Sequence, residues 1–169
     1  MHDWSNYYNL AGTAGASLVG LMFVVVSFGS GLSSAQAMTG IRVFLTPTLI
    51  YFCSVLFQSL VLLAPWPSPW PAGIILGVVG LAGLVHVISV MRSRHKLEVV
   101  LHGWVDWVPY SGIPLLANAC LIAGAYGMIA DRAFAPYGVA VATLLFLFAG
   151  IYGAWDLTVW LLSKRHTGK

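Results

Sequence analysis

Five apolar runs dominate this chain, at roughly Asn9–Gly29, Arg42–Ala64, Ala72–Met91, Ile113–Ala130 and Tyr137–Leu162. Each is roughly 18–26 residues long, and about 20 apolar residues carry an α-helix across ~30 Å of hydrocarbon. Only 8% of the 169 residues are charged, where an ordinary soluble domain has about a quarter. A backbone in lipid must satisfy its own hydrogen bonds, so such runs fold as helices. The expectation is an all-α polytopic membrane bundle of five transmembrane helices. Residues 1–169 then form a single transmembrane domain with no room for a soluble one.

Threading the runs alternately places Arg42, Arg92, Arg94, Lys96, Lys164, Arg165 and Lys169 on one side and only Arg132 on the other. Lys and Arg are retained on the cytoplasmic side during insertion, which predicts the N-terminus outside and the C-terminus inside. Ala35-Gln36-Ala37 resembles a signal-peptide cleavage pattern. Its leader, Met1-His2-Asp3, lacks the required positive charge, and the run is too long, so the first span is expected to be retained. Aromatics mark both interfaces: Trp4, Tyr7, Tyr8, Trp66, Trp70 and Tyr137 outside, with Trp104, Trp107, Tyr110 and Trp160 inside. The net charge of +3 suits contact with anionic headgroups. No basic run carries interleaved stacking aromatics, so nucleic acid is excluded as a partner. Cys53 and Cys120 lie inside spans without a CxxC pattern and read as packing residues.

Three further patterns constrain the helices. Residues Pro65 to Pro71 include four prolines, which fix φ and lack an N–H, so a rigid extended connector is expected at the outer interface. Small residues recur at four-residue spacing: Gly12, Ala16 and Gly20; Gly73 and Gly77; Ala149 and Gly153. Such faces let helices approach closely, within one bundle or between subunits. Between Arg92 and Trp107, Leu97, Val100, Leu101, Trp104, Trp107 and Val108 form one helical stripe. This predicts a short amphipathic helix on the cytoplasmic surface. The opposite stripe, His95, Glu98, His102 and Asp106, could share a metal ion. A water-facing polar stripe explains it more cheaply, and no metal is expected.

Ionisable groups inside a span cost about 2.5–3.5 kcal/mol on insertion scales, which makes each a functional candidate. Here they are His86 and Asp156, roughly 9–12 Å inside the cytoplasmic charges at ~1.5 Å per residue. Thr46-Pro47-Thr48 and Asn118 fall in the same third, whereas the outer two-thirds holds little beyond Gln58, Thr13 and Ser17. Arg42 is positioned to pair with Asp156 or with Asp106. Pro47 deprives the Val43 carbonyl of its helical donor, which predicts a kink there. Only His86 lies well inside a span, so no axial pair for a haem is present and no cofactor is expected.

The segments Asp3-Trp4 to Tyr8, Gly12 to Val24, Phe44-Leu45-Thr46-Pro47-Thr48, Asp106-Trp107 and Ala154-Trp155-Asp156-Leu157 together resemble a family of small bacterial inner-membrane proteins of unknown function. The resemblance covers most of the chain and implies a multi-pass location in the bacterial inner membrane. It carries no activity. The functional expectation is a non-catalytic membrane protein that packs as a homo-oligomer or as an accessory subunit of a membrane complex, with the lipid bilayer as its environment. The alternative is a small channel or transporter for protons or cations, built on the polar cluster around Asp156 and His86. An enzyme is not expected, because no residues at fixed spacing converge on a substrate site.

Overall fold

The computed structural model describes the backbone of residues 4–29, 35–96 and 111–167, with side chains over 4–27, 45–92 and 111–162. Among them are five helices and no strand: α1 (Ser5–Gly29), α2 (Ala35–Leu63), α3 (Trp70–Lys96), α4 (Ile113–Ile129) and α5 (Ala135–Thr167). α1, α3 and α5 contain their apolar runs and extend beyond them, and α2 and α4 each stop one residue short of theirs, at Leu63 and Ile129. α5 continues five residues past Leu162, because a helix goes on satisfying its own backbone after the side chains turn polar. α3 likewise runs on through Arg92, so Arg92 to Lys96 continue that helix rather than starting a separate one. The remainder of the expected surface helix lies outside the described residues.

Four of the helices contain stretches long and apolar enough to cross a membrane: Ser5–Ser27, Leu45–Leu63, Trp70–Arg92 and Ala135–Leu162. α4 is apolar apart from Asn118 but has only 17 residues, about 25 Å at 1.5 Å per residue. A Schellman turn ends it: the Arg132 N–H donates to the Gly127 carbonyl at 2.8 Å, with Asp131 left-handed at φ 50°.

The helices are packed in the spatial order α3, α4, α5, α2, α1, with only slight contact between α2 and α3 or between α1 and α5. Glycines set these seams. On α3, Gly73, Gly77, Gly80 and Gly83 form one face against Ala125, Ile122 and Asn118 of α4. Where α4 crosses α5, a Cβ on Gly124 would lie 2.8 Å from the Val139 nitrogen, and one on Gly138 would lie 3.0 Å from the Gly124 Cα. On α1, a Cβ on Gly12 would meet the Ser59 Cβ at 2.8 Å, and Gly15 faces the Phe52 carbonyl of α2. The α2–α5 seam places Thr48 on Gly153 and the Phe52 ring on Gly150.

These pairings run in opposite directions along successive helices. The starts of α1, α3 and α5 therefore share one end of the bundle, and the starts of α2 and α4 share the other. Tyr7 and Tyr8 tie the first end together, their hydroxyls donating to the carbonyls of Ala140 (2.9 Å) and Pro136 (3.1 Å) on α5.

Candidate functional site

The interior polar residues fall at three places. At the α2–α5 seam, Thr48 is fully buried against Gly153, and half-buried Asp156 lies three residues further along α5. Thr46, two residues before Thr48, is exposed. Arg42 belongs to the first part of α2, but its side chain lies outside the described residues. The same holds for Asp106, so both proposed partners of Asp156 fall there.

A second group lies where α2, α3 and α4 meet. Pro47, Tyr51, His86 and Asn118 line a cavity of about 50 Å³, room for a water molecule or two. Asn118 is buried and donates from Nδ2 to the Pro114 carbonyl at 2.8 Å. Its Oδ1 occupies the place a Cβ would take on Gly83. His86 is exposed at the rim of this cavity. Thus His86, Asn118 and Pro47 are brought together, and Thr48 with Asp156 belongs to a different seam.

The third group includes residues that sequence reasoning missed. Gln58 on α2 and Thr143 on α5 are fully buried, and Thr143 Oγ1 stands 3.1 Å from the Gln58 amide oxygen and 2.8 Å from the Val139 carbonyl. A threonine hydroxyl carries one proton and cannot donate to both. Turning the amide resolves this: Nε2 then donates to Thr143 Oγ1, which donates to Val139. As the amide stands, Gln58 Nε2 and Ser59 Oγ are buried without a partner among the described residues. The available signal was Gln58 itself, an amide in a span that needs a partner on a facing helix. Thr143→Val is expected to cost about 0.6–1.7 kcal/mol, the range for interhelical hydrogen bonds in lipid. Gln58→Leu should cost less, because Thr143 keeps its bond to the Val139 carbonyl, whereas Thr143→Val leaves a buried amide without a partner. Denaturation midpoints in mixed micelles check both, and a larger loss for Gln58→Leu than for Thr143→Val contradicts this account.

At the end of the bundle where α1, α3 and α5 start is a half-open cavity of about 520 Å³. Trp4, Tyr8, Trp66, Pro65, Met128 and Val139 form much of its wall, and among the described residues no Asp, Glu, His, Lys or Arg lines it. The Pro-rich connector closes one side. Trp66 is fixed there by its indole N–H, which donates to the Val61 carbonyl at 2.7 Å.

Of the small residues at four-residue spacing, Gly12, Gly73, Ala149 and Gly153 are buried within the bundle, and Gly77 meets Ala125 Cβ at 3.6 Å. Ala16 and Gly20 lie on the exposed side of α1, and Gly20 has nothing within 4 Å of a Cβ position. Among the described residues, no three His, Cys, Asp or Glu side chains are grouped to hold a metal. The alternative set of His95, Glu98, His102 and Asp106 lies outside the described side chains. Comparisons with protein-family models, with curated proteins and with solved structures gave no match, so the site is interpreted from its own geometry.

Proposed function

We propose that this chain is a non-catalytic, five-span protein of the bacterial inner membrane, N-terminus outside and C-terminus inside, that works as a homo-oligomer or as an accessory subunit in a membrane complex. α4 is counted as the fourth span because it runs antiparallel to α3 and α5 along its length. This alternation puts the helix ends bearing Arg42, Arg92, Lys96 and Lys164 together, as retention of positive charge inside requires.

The observation that carries the reading is a contrast between two exposed faces. On α5, Val141, Leu144, Phe148, Ile151, Trp155 and Val159 project outward, bulky side chains that suit lipid tails. On α1, the exposed side between Asn9 and Gly20 carries Asn9, Thr13, Ala16, Ser17 and Gly20, with Leu10 at its edge and Leu21, Phe23 and Val24 beyond it. Helix faces of this kind associate in bilayers, because small residues let backbones approach and polar ones bond across. A helix of a second copy or of a membrane partner is the fitting cover. The α2–α5 seam also favours packing over conduction, since buried Phe52 separates the Thr48–Gly153 contact from the Gln58–Thr143 pair.

Native mass spectrometry from nanodiscs tests this. The wild-type protein should carry more than one copy, and Ala16→Leu or Gly20→Leu should reduce it to a folded monomer whose thermal midpoint falls only by the loss of subunit association. Val141→Ala, on the lipid-suited face of α5, should leave the copy number as it was. A monomeric wild type with no co-purifying membrane protein contradicts the proposal.

A further inference from the structure

We propose that the cavity beneath the Pro-rich connector is a binding site for an uncharged, ring-bearing amphipathic molecule of the quinone or phenol kind. Four observations lead there. The volume, about 520 Å³, lies inside the range of about 300–1,000 Å³ typical of small-molecule sites. Among the described residues the lining offers aromatic rings, prolines, Met128 and two serines but no Asp, Glu, His, Lys or Arg, so none of them compensates a full ligand charge removed from water.

The walls are also held in place. The Trp66 indole N–H is committed to the Val61 carbonyl and the Tyr8 hydroxyl to that of Pro136, and the prolines restrict the connector. A pre-organised wall binds without first losing conformational freedom, and it cannot collapse to fill the void. Water in such a space would leave apolar surface wet. Finally, the five-span reading puts the cavity at the level of the outer aromatic belt, where Trp4, Tyr7, Tyr8 and Tyr137 cluster. Amphipathic rings partition to that depth. A flat ring stacked on Trp4, Tyr8 or Trp66, with its hydroxyl or carbonyl toward the open side, meets all four conditions.

Isothermal titration of the detergent-purified protein with naphthol, against the same micelles without protein, measures occupancy directly. Saturable binding of one naphthol per chain is expected. Naphthoate, of the same shape but anionic, should bind at least about tenfold more weakly because its charge finds no partner in the cavity. Ala64→Trp and Ser68→Trp each place an indole at the edge of the space without disturbing a buried helix seam. Each should weaken naphthol binding by at least about tenfold, since the indole excludes the ligand. The comparison of naphthol with naphthoate needs no variant, so it decides the matter even if neither substitution folds. Equal affinity for the two probes overturns the proposal. So does the absence of saturable binding, or wild-type affinity in well-folded tryptophan variants. An oligomer that binds no naphthol keeps the functional proposal and rejects this one, and a monomer without a co-purifying membrane protein that binds it does the reverse.

Discussion

Gly124→Leu is expected to stop α4 from docking on α5, leaving no monodisperse protein on size exclusion. A Cβ at residue 124 would lie 2.7 Å from Val139 Cγ2, 2.8 Å from the Val139 nitrogen and 3.1 Å from the Ala135 carbonyl oxygen. Two of these three are backbone atoms of α5, which no rotamer change can move aside. The Gly138 position approaches Gly124 from the other helix, so the crossing is tight on both sides. Overpacking a well-filled interior costs about 1–3 kcal/mol, occasionally more. Gly124→Ala should fall in that range and lower the thermal midpoint, and leucine should exceed it. Gly20→Leu is the control of equal size: nothing lies within 4 Å of its Cβ position, so the bundle itself should be untouched. A Gly124→Leu protein as stable as wild type would refute the close α4–α5 approach.

Phe52→Ala should cost about 3–5 kcal/mol, the usual range for truncating a buried phenylalanine. The ring is fully buried in a cluster with Met22 and Leu157, at the junction of α1, α2 and α5. It occupies the space left by the missing side chain of Gly150. That complementarity predicts a sign change. Gly150→Ala should destabilise the wild-type chain, because its methyl meets the ring. In the Phe52→Ala background the same methyl enters the cavity and should recover part of the loss. Residues in direct contact are expected to be non-additive, and unfolding midpoints in denaturing detergent measure the cycle. Strictly additive effects would mean the ring and Gly150 do not share one space.

How much of this was legible beforehand differs from seam to seam. Gly73 and Gly77 were visible as a small-residue pair, and Gly80 and Gly83 continue the same face at three-residue spacing. That extension could have been read. Gly124 and Gly127, and Gly138 with Ala142, are also small-residue pairs, but that the two sets meet each other is decided only by the packing. Gly12, Ala16 and Gly20 looked like one surface. Gly12, with Gly15, meets α2, and Ala16 and Gly20 turn away from it, since at 3.6 residues per turn a four-residue step rotates progressively around the axis.

The polar residues show the same division. A buried glutamine in a span announces that it needs a partner, and sequence cannot say that the partner is Thr143, 85 residues away. His86 and Asn118 looked like companions of Asp156 because they lie at similar depth. Depth follows from position along each helix, but which seam a residue faces follows from helix order, and α3 touches α2 only slightly. The cavity beneath the connector was invisible, because the connector, α1, α4 and α5 each supply part of its wall.

The sequence by itself determined that this protein is helical and where its apolar helices run. Those properties depend on local hydrophobicity and on each backbone segment satisfying its own hydrogen bonds in lipid. Only the tertiary structure decided the order α3, α4, α5, α2, α1, the partner of each glycine and polar group, and the cavity left beneath the connector. Burial from water does not discriminate between apolar faces inside a bilayer, so the choice rests on close packing between residues far apart in the chain.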